Sequence, residues 1–350
     1  MTPAAAKPTS AEAATSAPAA TPPATAPPPA ANPTTVGPAP GPRLLEGGPI
    51  AATIRASVAE DVADFKRRFG FTPTLAVVLV GRDAPSAVYL QQILRTCARV
   101  GIEGRLVEIP GRVSAAALRR QIGHLNADPL VSGIIVQMPL PKRIPLSTVI
   151  DTIDPAKDVD GIHPFNAGLM TLGYEGFLPA TAQAAVEILK RSGIPLEGRR
   201  AVVVGRSNVV GKPAAILLMR EHATVTVCHS RTADLARHTR EAEILVVAAG
   251  HPGLVTGAML SPGVVVVDVG INVVPAGKGA PADNGAQADA AGGTRLVGDV
   301  DFASARDVVA AITPVPGGVG PVTNALLLTH LLRAARQQQR RSPAPLRRIG

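Results

Sequence analysis

Short, unbroken apolar runs closed by glycine recur along this sequence, and helix-like stretches separate them. TLAVVLVG (74–81) comes first. A helical stretch, SAVYLQQILRTCARVGI (86–102), follows it, then RLVEIP (105–110), a helix near 114–126 and SGIIVQMPLP (132–141). A second series begins after residue 165. There a helix near 181–193 leads to RRAVVVG (199–205), a helix over 212–221, ATVTVC (223–228), EILVVAAG (243–250), GVVVVDVG (263–270) and RLVGDV (295–300). A strand that is apolar on both faces must be covered on both, and a parallel sheet with crossover helices does this. The fold class predicted is α/β, with two α/β domains and a cleft between them. Ligands are expected beyond the carboxyl ends of the strands. The domains span 44–165 and 166–318, and the segment 319–336, which holds the helical stretch TNALLLTHLLRAAR (323–336), is expected to pack back onto the first. Residues 273–294, rich in Gly, Ala and Pro, read as a loose loop.

The two ends lack this pattern. Residues 1–43 are almost wholly Ala, Pro and Thr. They hold too little apolar surface to offset the entropy of ordering, and a disordered tail is expected. Their only basic residues are Lys7 and Arg43, so neither a secretory signal nor a transit peptide is expected. Residues 337–350 are expected to form a basic disordered tail. Arg333, Arg336, Arg340, Arg341, Arg347 and Arg348 supply +6 of the net charge of +9, which leaves +3 for residues 1–332. The basicity therefore belongs to the C-terminal end, which is read as solvated, and nucleic-acid contact is not expected elsewhere. No run of 18 or more apolar residues occurs, so no membrane contact is expected. The two cysteines, Cys97 and Cys228, have no metal-ligand spacing and suit a reducing compartment. No metal and a cytoplasmic location are expected.

In VVVGRSNVVGKP (202–213), Gly205 ends a strand and Gly211 opens a helix. Glycines there let the backbone approach a pyrophosphate at a helix N-terminus, where free N–H groups favour anions. The G-x5-G spacing departs from G-x-G-x-x-G, and a tight strand–helix turn with no ligand fits the same residues. The end of the next strand decides between cofactors. Chains that bind NAD place an acid about 20 residues on, to hold the ribose 2′-hydroxyl. Here HSRT (229–232) offers Ser230 and Arg231, and Arg206 lies in the first loop. Two guanidiniums and a hydroxyl suit a 2′-phosphate, so NADP is predicted.

Three loops carry dense polar motifs: VQMPLP (136–141), DPAKDVDGIHPFN (154–166) and TPVPGGVGPVT (313–323). Most of their Gly and Pro residues serve as turn punctuation. Asp160 differs, because a carboxylate in a turn near the domain junction can accept two N–H bonds from a planar heterocycle. Together with TVTVCHSRT, VVVVDVGIN, LVGDVDF and the tyrosine–isoleucine stretch Tyr89 to Ile102, these motifs resemble one family over about 45–335. That family is methylenetetrahydrofolate dehydrogenase/methenyltetrahydrofolate cyclohydrolase. The resemblance implies an N-terminal catalytic domain that binds folate, a Rossmann-type parallel sheet for the cofactor, NADP as the usual cofactor, tetrahydrofolate one-carbon derivatives as substrates and a homodimer. It implies that Tyr89 stacks on the folate, that Gln137 is the active-site glutamine and that Asp160 binds the pterin. Pro316, Gly317 and Gly318 would lie beside substrate, and Gly205, Arg206, Ser207, His229, Ser230 and Ile271 would touch the cofactor.

The sequence departs from the family pattern in places. The family's P-C-T-P reads P-A-T-A (Pro179 to Ala182), and a family asparagine reads His330. The family's catalytic lysine, four residues after the tyrosine, is Ile93 here, and a second lysine is Arg95. With 28 Arg against 7 Lys, a simple bias toward arginine would have left Arg at 93. The expectation is that dehydrogenation persists and hydrolysis is weak or lost. The alternatives are a fully bifunctional enzyme in which Lys157 or His330 supplies the base, and a non-catalytic NADP- or folate-binding protein.

Overall fold

The structure, a computed structural model, describes residues 41–81, 84–275 and 293–340, with residues 84–89 described by their backbone alone. The expectations for residues 1–40 and 341–350 lie outside the described residues. The first half runs β1 (Arg43–Leu44), α1 (Gly47–Phe69), β2 (Thr74–Val80), α2 (Ala84–Arg99), β3 (Glu103–Ile109), α3 (Ala115–Ala127) and β4 (Val131–Val136). Strands β2, β3 and β4 form a parallel sheet with β2 in the middle. Every residue of β2 is buried, as its unbroken apolar run requires. Alternation along the strand sends Leu75 and Val77 to one face, where they join Val58, Val62, Ile93 and Cys97. Ala76, Val78 and Val80 face the other way, toward Leu118, Ile122 and Val149. Ser114 caps α3 by accepting from the Ala117 N–H at 3.2 Å, and Gly70 ends α1 in the left-handed region.

The connection passes through α4 (Ser147–Ile150), α5 (Pro164–Thr171) and α6 (Ala180–Arg191). The second half follows as β5 (Arg200–Val204), α7 (Gly211–Arg220), β6 (Thr224–Cys228), α8 (Leu235–Arg240), β7 (Ile244–Val247) and β8 (Val265–Asp268). It ends with β9 (Asn272–Pro275), β10 (Thr294–Val297), α9 (Phe302–Ala305), β11 (Ala311–Ile312) and α10 (Val319–Gln338). Six strands form a parallel sheet in the order β1-β11-β8-β7-β5-β6. The strand order reverses across β5, the switch point at which such sheets bind nucleotides.

Several elements go beyond the sequence pattern. Strand β1 joins the second sheet although it precedes the first, so Arg43 belongs to the fold and not to the tail expected over 1–43. Helix α1 shows no clear period in the sequence, because its buried positions, Ala51, Ile54, Val58, Val62 and Phe65, sit among many alanines and charges. Strand β9 occupies the start of what reads as a loose loop and pairs antiparallel with β10; residues 276–292 lie outside the description. The basic end also needs correction. Arg333 and Arg336 belong to α10, which continues to Gln338. The Arg333 guanidinium lies over the Phe177 ring at 4.4 Å, and Arg336 pairs with Asp61 at 2.6 Å.

Helix α10 packs against α1, α6 and β4, so its apolar face is shared between the two sheets' surroundings. Leu331, fully buried, meets Gly133 of β4, where an added Cβ would stand 2.7 Å from its Cδ1. Leu331→Ala is expected to cost about 2–5 kcal/mol in urea unfolding. A loss under about 1 kcal/mol would mean that the helix is not a shared core element.

Candidate active site

Gln137 leaves the end of β4 with its N–H donating to the Val78 carbonyl at 2.8 Å. Its side-chain amide donates to the Met138 carbonyl at 3.0 Å. Beside it, Ile134 forms an isolated parallel bridge with Asp158, and the Ile134 N–H donates to the Lys157 carbonyl at 2.8 Å. The 157–160 segment therefore runs along β4 in the same direction, and Asp160 emerges at the same sheet end as Gln137.

The turn that carries Asp160 is built from Asp158. That fully buried carboxylate accepts from the N–H groups of Ile162 at 3.1 Å and His163 at 2.8 Å, and from Asn166 Nδ2 at 2.8 Å. Gly161 has φ +67°, and a Cβ there would collide with the Leu178–Pro179 backbone, so only glycine fits. Asp160 is partly buried and has no hydrogen-bond partner among the described residues. Burial, and then the charge of Asp158, push its carboxyl up to about 7. A carboxylate so placed is left to accept N–H groups from outside the protein.

Tyr89 lies on α2, and its side chain is outside the described residues. Ile93, one turn on, is 2% exposed and packs in the core with Leu90 and Cys97. Its surroundings are those of an ordinary apolar helix stripe that faces a core. Arg95 is exposed, as its position about 200° around the helix requires. Neither substitute base raised above is available. Lys157 Nζ donates to the carbonyls of Leu125 at 3.1 Å and Asp128 at 2.7 Å, on the α3 side of the sheet. His330 is buried with both ring nitrogens engaged, by Val159 and Gln183.

The loop Gly205 to Gly211 joins β5 to α7. A Cβ on Gly205 would collide with the Ala248 carbonyl, and one on Gly211 with that of Gly205. These glycines thus let the loop pack against β7 and itself, which frees the α7 N-terminus to face a ligand. Ser207 Oγ accepts from the N–H groups of Val210 at 3.1 Å and Gly211 at 3.3 Å, so it braces the loop while keeping its own proton to donate. After β6, His229 Nδ1 accepts from the Arg231 N–H at 3.0 Å, which places the ring proton of the neutral form on Nε2. Arg206, Ser230 and Arg231 are exposed, and neither arginine makes an ion pair among the described residues. The nearest following acid, Asp234, caps α8 instead, accepting from the Arg237 N–H. This donor set fits a phosphorylated ribose.

Ile271, 64% exposed, stands between two anchored neighbours. Gly270 donates its N–H to Asp268 at 2.9 Å, and Asn272 Nδ2 donates to Asp299 at 2.9 Å. Asp299 also accepts from the N–H groups of Ala249 and Gly250, tying the β7 end to the β8 end. Burial pushes the Asp268 carboxyl up to about 7, against three N–H donors that favour its charge. Pro316, Gly317 and Gly318 lie between β11 and α10, and the Gly317 carbonyl accepts from the Gly47 N–H at 2.9 Å. Sequence reading missed Asp158, Asp268 and Asp299. Only Asp268 carries a local signal, an acid at the end of an otherwise apolar strand. A cavity of about 500 Å³ under the β9–β10 hairpin, lined by Asp268, Arg295 and Thr313, holds none of the expected site residues except by adjacency.

Residues 45–160 match the model of the tetrahydrofolate dehydrogenase/cyclohydrolase catalytic domain, and residues 179–339 match that of the same family's NAD(P)-binding domain. A protein of Rubrobacter xylanophilus named bifunctional protein FolD 1 is 49% identical over 300 residues, 86% of this chain and 99% of its own. A crystal structure of the bifunctional FolD dehydrogenase/cyclohydrolase from Campylobacter jejuni superposes with a TM-score of 0.76 at 39% identity, covering 84% of this chain and 98% of that one. The Trypanosoma brucei dehydrogenase-cyclohydrolase, complexed with NADP cofactor and inhibitor, gives 0.78 at 38% identity, with 85% and 98% covered.

The state of Asp160 can be read from stability. A carboxyl raised to about 7 in the fold, from about 3.9 unfolded, contributes stability below the lower value that is lost as pH rises to the upper one. Asparagine carries no such loss. The melting temperature of Asp160→Asn relative to the parent is therefore expected to rise between pH 5 and pH 8. A flat or falling difference would contradict the raised carboxyl.

Proposed function

The chain belongs to the tetrahydrofolate dehydrogenase/cyclohydrolase family, and we propose that it is an NADP-dependent 5,10-methylenetetrahydrofolate dehydrogenase in which the second reaction, hydrolysis of the methenyl product to 10-formyltetrahydrofolate, is strongly reduced. The observation that carries this reading is the buried Ile93 at the position of the family's lysine, with Lys157 and His330 each held elsewhere.

The first reaction asks little acid–base work of the protein. Asp160 accepts the pterin N–H groups, Tyr89 stacks on the folate, Gln137 holds the reacting end, and the Pro316–Gly318 loop closes one side. When bound, the dinucleotide supplies the electron-accepting chemistry. The lone pairs of the folate nitrogens on either side of the methylene carbon drive the departure of hydride. The chain's task is alignment at near-attack distance. Arg206, Ser230 and Arg231 support NADP over NAD, since their charge suits a 2′-phosphate and no acid stands by.

The second reaction differs. Water adds to the methenyl carbon, a proton must leave that water, and a proton must reach a ring nitrogen as the bridge opens. An amine with a lowered pKa does this work, and isoleucine cannot. An arginine stays protonated, and Arg95 faces away. A positioned base is worth about 10²–10⁴-fold, and hydrolysis is expected to fall by that order.

A homodimer is also proposed. Among the described residues β6 is a sheet edge with an open ladder side, and the exposed Val227 and Met219 flank it. No helix among the described residues is long and apolar enough to cross a membrane.

Arg206→Ala with Arg231→Ala is expected to raise the KM for NADP about 10–100-fold and to leave that for NAD within about threefold, as loss of two charge-assisted contacts implies. An equal effect on both cofactors would reject the 2′-phosphate assignment. Ile93→Lys is expected to raise hydrolysis by about 10² or more, at a cost in melting temperature from burying an amine. A folded Ile93→Lys protein with no gain would place the lesion elsewhere, such as Ala180 and Ala182.

A further inference from the structure

His330, 4% exposed on α10, touches the turn that carries Asp160 from behind. Its Nδ1 lies 2.8 Å from the Val159 carbonyl, and its Nε2 lies 2.9 Å from Gln183 Oε1 on α6. A carbonyl only accepts, so Nδ1 carries a proton. Burial, and then the nearby charge of Arg333, push the imidazole down to about 4, so the ring is neutral at physiological pH. A neutral ring with its proton on Nδ1 can only accept at Nε2, so the oxygen and nitrogen of the Gln183 amide are assigned the exchanged way round, with Nε2 of Gln183 donating to the ring. The Phe177 ring, 5.9 Å away and tilted, packs beside it.

The Val159 carbonyl and the Asp160 N–H belong to one peptide plane. Val159 is fully buried, and among the described residues His330 is the donor that its carbonyl finds. Beyond Asp160, the turn is already fixed by Asp158 and by Gly161 against Leu178–Pro179. The Gly161 N–H donates to the Asp158 carbonyl at 3.2 Å and fixes the ends of the turn, so the tilt of the plane between residues 159 and 160, and with it the φ of Asp160, is set by what the Val159 carbonyl meets.

We propose that His330 is a positioning residue for the folate substrate: its Nδ1–H locks the 159–160 peptide plane and so aims the Asp160 carboxylate, with Gln183 holding the ring in its tautomer. This inference rests on the reading of Asp160 as the pterin acceptor. It assigns the bond to Val159, not mere filling of the core, as what matters.

Asparagine carries its amide where the imidazole carries Nδ1, and glutamine where it carries Nε2, so the two variants separate these bonds. His330→Gln and His330→Leu are expected to raise the KM for 5,10-methylenetetrahydrofolate about tenfold, with kcat and the KM for NADP within about twofold, because a buried acceptor is left unpaired. His330→Asn is expected to stay within about threefold of the parent for all three constants. Gln183→Met, which leaves the Val159 bond and the α10 core in place, is expected to raise the folate KM about fivefold, beyond the parent-like range, and covers the case in which a His330 variant does not fold. A parent-like folate KM in folded His330→Gln, in folded His330→Leu or in Gln183→Met would overturn the proposal, as would equal losses in His330→Asn and His330→Leu. Asp160→Ala separates the two levels. If it too keeps a parent-like folate KM, the reading of Asp160 fails and this inference fails with it; if its KM rises while that of His330→Gln does not, this inference fails alone.

Discussion

The fully buried carboxylate of Asp158 gathers two backbone N–H groups and the Asn166 amide, and the proposed folate site hangs from that arrangement. Burying an ionised carboxylate is costly unless its lone pairs are filled. Here three donors fill them, and the turn closes in one shape. That shape presses Gly161 against Leu178–Pro179, at the start of α6, and leaves Asp160 with no donor among the described residues. Two acids two residues apart therefore have opposite fates. Asp158 is satisfied by the protein, while Asp160, the proposed pterin acceptor, has no such partners among the described residues. The charge of the first also helps to raise the carboxyl of the second.

A similar division holds at the second sheet. Asp268 and Asp299 use their carboxylates on backbone N–H groups at the ends of β7 and β8, and so keep Ile271 out in solvent between two fixed neighbours. The outer ring of the site, Arg206, Ser230 and Arg231, remains exposed and unpaired among the described residues. Fixed acids inside and free cations outside form a surface that accepts a polyanion without rearranging. Helix α10 joins the two halves, because its buried face serves α1, β4 and α6 together.

Much of this was legible in the sequence, for identifiable reasons. The central strands β2, β7 and β8 are nearly unbroken apolar runs that must be covered on both faces, which points to parallel pairing, and helices α2, α3 and α7 fill crossovers between strands. The cofactor loop and its two arginines could be named because glycine and charge mark them locally. Helix α1 and strand β1 could not be, since alanine-rich helices carry a weak period and a two-residue strand carries none. The roles of Asp158, Asp268 and Asp299 depend on backbone groups from 2 to 50 residues away, which no local pattern displays. Ile93 shows the converse. Its neighbours make it an ordinary core residue, and only comparison with the family's pattern gives its identity a chemical meaning. The bonds of Lys157 and His330, invisible in sequence, then remove the two obvious substitutes.

The central claim is that one cleft has kept its first reaction and lost most of its second. It is tested most directly on one preparation of the full chain, by measuring the NADP-dependent oxidation of methylenetetrahydrofolate and the hydrolysis of methenyltetrahydrofolate side by side. The account predicts ordinary dehydrogenase turnover, with kcat on the order of 1–10³ s⁻¹, beside hydrolysis slower by about 10² or more. Hydrolysis that keeps pace with dehydrogenation would contradict it.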